Sequence, residues 1–120
     1  MTPQQFRQAA LAMPDVVEGS HHDHPDFRAH GRVIASLHPD GEHAMVRVAV
    51  AVQQQFVARH AGACKPANGA WGRAGCTMLL LAAVPLAVVR DALAEAWQFG
   101  AIGAKPTKPK QRPAKRSRRA

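Results

Sequence analysis

A chain of 120 residues, 47% of them hydrophobic, has the length of one ordinary domain and enough apolar material for one modest core. Its most apolar stretch, Cys76 to Val89, contains Pro85 and falls short of the roughly 18 to 20 residues a membrane-spanning helix needs, so no transmembrane helix is expected. The net charge of +8 sits in the tail: residues 1–104 carry eight basic and eight acidic side chains, whereas residues 105–120 carry eight cations and no acid.

Thr2, Pro3 and Gln5 supply an N-cap, a first-turn proline and a capping-box partner, and Phe6, Ala9, Ala10 and Met13 follow at helical spacing until Pro14 ends the helix. Val16 to Pro25 is rich in Gly, Ser, His and Asp and reads as a loop. Phe27 to His30, Arg32 to His38 and His43 to Val48 are β-prone runs separated by Gly31 and by Pro39-Asp40-Gly41, which predicts two hairpins. Val52, Phe56 and Val57 define a second helix from about Val50 to His60, with Gly62 as its expected C-terminal cap.

Ala63 to Ala67 reads as a short strand and Asn68 to Gly75, with three glycines in eight residues, as a loop. Cys76 to Ala82 is apolar with little alternation, as expected for a central strand covered on both faces or packed under a helix. Pro85 opens a third helix whose apolar face is Leu86, Val89, Leu93 and Trp97, with Gly100 closing it. Beyond Gly103 the composition offers no apolar anchor to offset the entropy of ordering, so residues 1–103 read as the folded domain and 104–120 as a disordered basic tail.

His21, His22, Asp23 and His24 are the densest set of metal-ligand types, suited to zinc or nickel if His38 or His43 completes the set. Neighbouring residues of an extended loop point in different directions, however, and the i, i+4 zinc spacing is absent, so no metal or cofactor is expected. Glu18, His24 and Arg28 are expected instead to anchor that loop to the sheet. An unrecognised enzyme would need a pocket that brings Glu18, His22 or His24 together with Arg28. Cys64 and Cys76 match no redox or zinc spacing and read as reduced, buried thiols. With no secretory leader at Met1 to Gln5, a cytoplasmic chain is expected.

Neither Gly-x-Ser-x-Gly nor a Walker-type phosphate loop occurs. The glycines around Trp71 are expected to turn the backbone while Trp71 covers the core edge; the alternative places Trp71 and Arg73 at an exposed tip, open to stacking and charge contacts.

Four stretches resemble the MmcQ/YjbR-like family of small bacterial proteins: Thr2 to Arg7 with the stop at Met13-Pro14; Glu18 to Arg28; Gly69-Ala70-Trp71-Gly72-Arg73 with Gly75 and Thr77; and Arg90 to Leu93 leading to Ala96-Trp97. The resemblance implies a CyaY-like, or frataxin-like, α+β domain with helices packed on one side of an antiparallel sheet. It also implies a double-wing DNA-binding role. The chain departs from the family pattern at Ala49-Val50-Ala51, where a Thr-Pro-Glu helix cap is usual, and at Leu80 and Ala82, where polar or basic residues are.

The expected function is therefore non-enzymatic nucleic-acid binding by a monomer. The domain residues expected to contribute are Arg28, Arg32, Arg47 and Arg73. Lys105, Lys108, Lys110, Arg112, Lys115, Arg116, Arg118 and Arg119 would supply sequence-independent phosphate contacts from the tail. The alternative is a small-ligand or metal-binding domain built on His21 to His24.

Overall fold

The computed structural model describes residues 1–21 and 24–103. The tail expected to be disordered lies outside the described residues, as do His22 and Asp23.

Helix α1 (Pro3–Leu11) starts as its sequence dictates: the Thr2 hydroxyl accepts from the Gln5 N–H at 3.1 Å, and Gln5 Oε1 accepts from the Thr2 N–H at 2.8 Å. Four strands follow, β1 (Val17–His21), β2 (His24–Ala29), β3 (Arg32–Leu37) and β4 (His43–Arg47). Helix α2 (Val50–Arg59) then crosses to β5 (Cys64–Pro66), the short helix α3 (Gly69–Arg73) leads into β6 (Cys76–Leu80), and α4 (Leu86–Gly103) closes the described chain. Among the described residues these elements form a six-stranded sheet in the order β1-β2-β3-β4-β6-β5, antiparallel throughout, with four helices. The α+β class is as expected.

The strand alternation separates two faces. On β4, Ala44 and Val46 are fully buried while His43, Met45 and Arg47 between them are partly exposed. The buried face carries α1 and α4, which pack on each other and on β3 and β4. Phe6 of α1 meets the Phe27 ring edge-on at 6.0 Å between centroids. Ile34, Leu79, Leu81 and Leu93 fill the space beside them, each 2% exposed or less. Burying a side chain of this kind is worth about 1.5–3 kcal/mol, so this layer is the main source of stability.

Several expectations are corrected. The segment Val16 to Pro25 is not a loop: Val17–His21 is an edge strand paired with β2 from Val17↔Arg28 to His21↔His24. Its turn-forming residues are tolerated because an edge strand bonds on one side only. Asn68 to Gly75 contains α3 rather than continuous loop. Helix α2 ends at His60, whose N–H reaches Phe56 O at 2.9 Å, and Gly62 does not take a left-handed conformation. Nor does Gly100 close α4; it is buried within the helix, where its missing side chain lets α4 approach Ile34 and His30. Leu86 is 43% exposed and outside the core, and the buried stripe of α4 is Val88, Val89, Ala92, Leu93 and Ala96. Of the two arrangements expected for the central strand β6, coverage on both faces is not seen, since Met78 and Leu80 are partly exposed while Leu79 between them is buried.

Candidate functional site

The two rims of the sheet differ in charge. At one rim β2 and β4 end and β3 and β6 begin, and at the other β3 turns into β4. The β3–β4 turn carries two acids, Asp40 and Glu42. Asp40 there accepts from the Glu42 and His43 N–H groups at 2.8 and 3.0 Å and contacts His43 Nδ1 at 2.7 Å. These bonds, led by that from Glu42, hold its carboxyl well below the usual carboxylate range.

The first rim gathers the arginines. Arg28 lies near the end of β2, and Arg32 begins β3 after the His30-Gly31 turn, in which both residues have positive φ. Arg47 ends β4, paired with Cys76, and its guanidinium lies 6.0 Å from the centroid of Phe99. Arg73 ends α3, which joins β5 to the start of β6. With strands about 4.8 Å apart, the span from β2 to β6 is about 15 Å, so four arginines scattered over 46 positions of sequence share one edge of the molecule. The C-terminal part of α4 reaches the same rim, because Gly100 lies against His30 and Ile34.

Arg28 is also held in place. Its Nε and Nη2 donate to Asp26 Oδ1 and Oδ2 at 2.9 and 3.0 Å, a two-pronged pair whose carboxylate is buried and whose guanidinium is 45% exposed. The bond and charge of Asp26 raise the Arg28 pKa further, keeping it a cation. Gly19 of β1 makes room for the pair: a Cβ there would lie 2.9 Å from Asp26 Oδ1 and 3.1 Å from Arg28 Nε. The role of Asp26 was missed in the sequence. The signal available was the Asp-Phe-Arg spacing, which puts Asp26 and Arg28 on one face of a strand.

In the expected network of Glu18, His24 and Arg28, Glu18 does not meet Arg28. Glu18 pairs with Phe27 and Arg28 with Val17, which puts Glu18 and Arg28 on opposite faces of the hairpin, and Glu18 bonds to Arg7 Nε at 2.6 Å. Of the pairings an enzyme site could have used, that of Glu18 with Arg28 is thereby excluded. Among the described residues no group of three His, Cys, Asp or Glu is placed to hold a metal ion, and His22 and Asp23 lie outside them. Burial pushes up the thiols of Cys64 and Cys76, both free. A groove of about 660 Å³ between α1 and α4, lined by residues including Gln5, Gln8, Met13, Leu86, Arg90 and Leu93, brings no nucleophile and base together.

Trp71 does not cover the core edge. It is 70% exposed, because α3 turns its neighbour Gly72 inward, where any Cβ would lie 1.9 Å from Ala67 O. The described helices include none long and apolar enough to cross a membrane.

In comparisons with known proteins, no curated protein matches this sequence. The structure is similar to the crystal structure of the Deinococcus radiodurans protein DR2400, which carries the family-model domain DUF419. The TM-score is 0.66 at 15% identity, covering 80% of this chain and 75% of that one, a likeness of fold alone. The sequence matches the YjbR family model over residues 11–99, spanning β1 to most of α4, and the chain therefore belongs to the YjbR family.

Proposed function

We propose that the protein binds nucleic acid through its arginine-bearing sheet rim together with the basic tail. The observation that carries this reading is the placement of Arg28, Arg32, Arg47 and Arg73 at one rim while Asp40 and Glu42 occupy the other. A domain with balanced charge in its first 104 residues thus gathers four arginines along one rim, with Asp26 paired to Arg28 there. The rim is also where α4 brings the chain towards the eight cations of residues 105–120. Arg28, with Asp26 fixing one side of its fork, has its remaining N–H groups available to a phosphate oxygen.

The division of labour follows from the chemistry. Tail lysines and arginines neutralise phosphates without reading bases, and the release of counterions makes such binding fall steeply with salt. Eight tail contacts to duplex DNA would give a log–log salt slope of about −7. The rim arginines orient the backbone.

Binding of labelled duplex DNA and single-stranded RNA across a salt series tests this, comparing the full chain, a chain ending at Gly103, and a full chain with Arg28, Arg32, Arg47 and Arg73 changed to Gln. The expected result is a shallower slope on truncation with residual binding, and weaker binding in the four-arginine variant at matched thermal stability. Loss of all binding on truncation, with no effect of the arginine changes, would assign the affinity to the tail alone.

A further inference from the structure

Trp71 combines three features that a core-covering residue would not have. It is 70% exposed, it stands on a five-residue helix two positions from Arg73, and that helix is held rigidly from below. The support is Gln53 of α2, buried to 5% exposure, whose Nε2 donates to both Gly72 O and Cys76 O at 2.9 Å. Close packing of Gly72 on Ala67 O adds to it. An indole left in water forfeits the burial that usually repays its size. Holding it there on a braced support, at the rim where Arg47 ends β4 and Arg73 ends α3, leaves a flat π-surface open to a ligand.

We propose that Trp71 is a stacking platform for an unpaired base, so that the ligand of this rim is single-stranded nucleic acid, DNA or RNA, rather than intact duplex. This rests on the nucleic-acid reading above and narrows it. In a duplex the bases are already stacked on one another and offer the indole no free face. A single strand lets one base turn onto Trp71 while its phosphates meet Arg73 and Arg47. Stacking of this kind tolerates any base and needs no group that reads base edges.

The experiment uses the full chain and its Trp71→Ala variant, with a labelled single-stranded DNA, the RNA of the same sequence, the matching duplex, and an abasic strand of equal length, at one salt concentration. Trp71→Ala should weaken binding of both single strands about tenfold and leave the duplex and the abasic strand within twofold. Because the ring is exposed, the variant should unfold at the temperature of the native chain; Trp71→Phe, retaining a smaller aromatic face, should recover part of the affinity.

Equal losses on single strand and duplex, or no loss on any ligand, would overturn the stacking role while leaving the nucleic-acid reading in place. A full chain that binds none of the four ligands would overturn both. If Trp71→Ala instead changes the sedimentation of the free protein, the ring serves contact between copies and the proposal fails.

Discussion

Gln53 provides the sharpest test of how α3 is braced. Gln53→Leu keeps the side chain's bulk in a buried site and removes both hydrogen bonds to Gly72 O and Cys76 O. Neither carbonyl is orphaned, since Gly72 O still accepts from the Gly75 N–H at 3.1 Å and Cys76 O from the Ala67 N–H at 2.9 Å. The cost is therefore the net worth of two bonds, about 2 kcal/mol, rather than the larger penalty of stranded polar groups. Gln53→Glu should be worse at neutral pH, by about 3 kcal/mol or more, because a carboxylate would face two carbonyl oxygens with no donor. Burial raises the folded-state pKa of such a carboxyl above its unfolded value of about 4.3. Its penalty is thus small below that value and grows as pH rises through the folded pKa. Urea unfolding at pH 4 and pH 7 measures both variants. A Gln53→Leu protein as stable as the native one, or a Gln53→Glu penalty equal at the two pH values, would refute the brace.

Two glycine substitutions separate backbone strain from collision. Gly31→Ala, at φ 75° with nothing within 4 Å, should cost only the left-handed strain of about 1–2 kcal/mol, whereas Gly75→Ala, at φ 108° with Val48 O 1.9 Å from the new Cβ, should cost distinctly more; denaturant midpoints at constant m-value will rank them. Asp40 has its carboxyl pKa depressed by the Glu42 and His43 bonds, so its stabilisation is present above the unfolded value of about 3.9 and disappears as pH falls through the folded one. Asp40→Asn should accordingly lower the melting temperature at pH 7 and shrink its fall on acidification, seen in melts from pH 7 to pH 2. Asp26→Asn should weaken the hold on Arg28 and reduce nucleic-acid affinity in the same direction as Arg28→Gln, compared by titration at one salt concentration.

How much could be read beforehand varied with the range of the forces involved. The α1 cap and the β2–β4 hairpins were legible because Thr2, Gln5, Gly31 and Gly41 act on their immediate neighbours. Strand β1 was not, because its Gly19 and Ser20 carry turn propensity and only pairing with β2 overrides it. The Gly-rich stretch at Asn68 to Gly75 has the composition of a loop because its glycines suit turns; they serve close backbone approach at Gly72 and Gly75, which depends on Ala67 and Val48 being brought there by the fold. The uncapped start of α2 was legible at Ala49, which makes no side-chain cap bond.

The candidate site divides the same way. Composition and position alone located the eight tail cations and named Arg28, Arg32, Arg47 and Arg73, since charge is a property of each residue. That those four arginines share one rim follows from strand order and direction, with β6 inserted between β4 and β5, a long-range pairing that no local pattern encodes. The Asp-Phe-Arg spacing puts Asp26 and Arg28 on one face of a strand, but the packing of that pair over Gly19 and the outward turn of Trp71 by the packing of Gly72 on Ala67 are contacts between segments, which only the tertiary structure could decide.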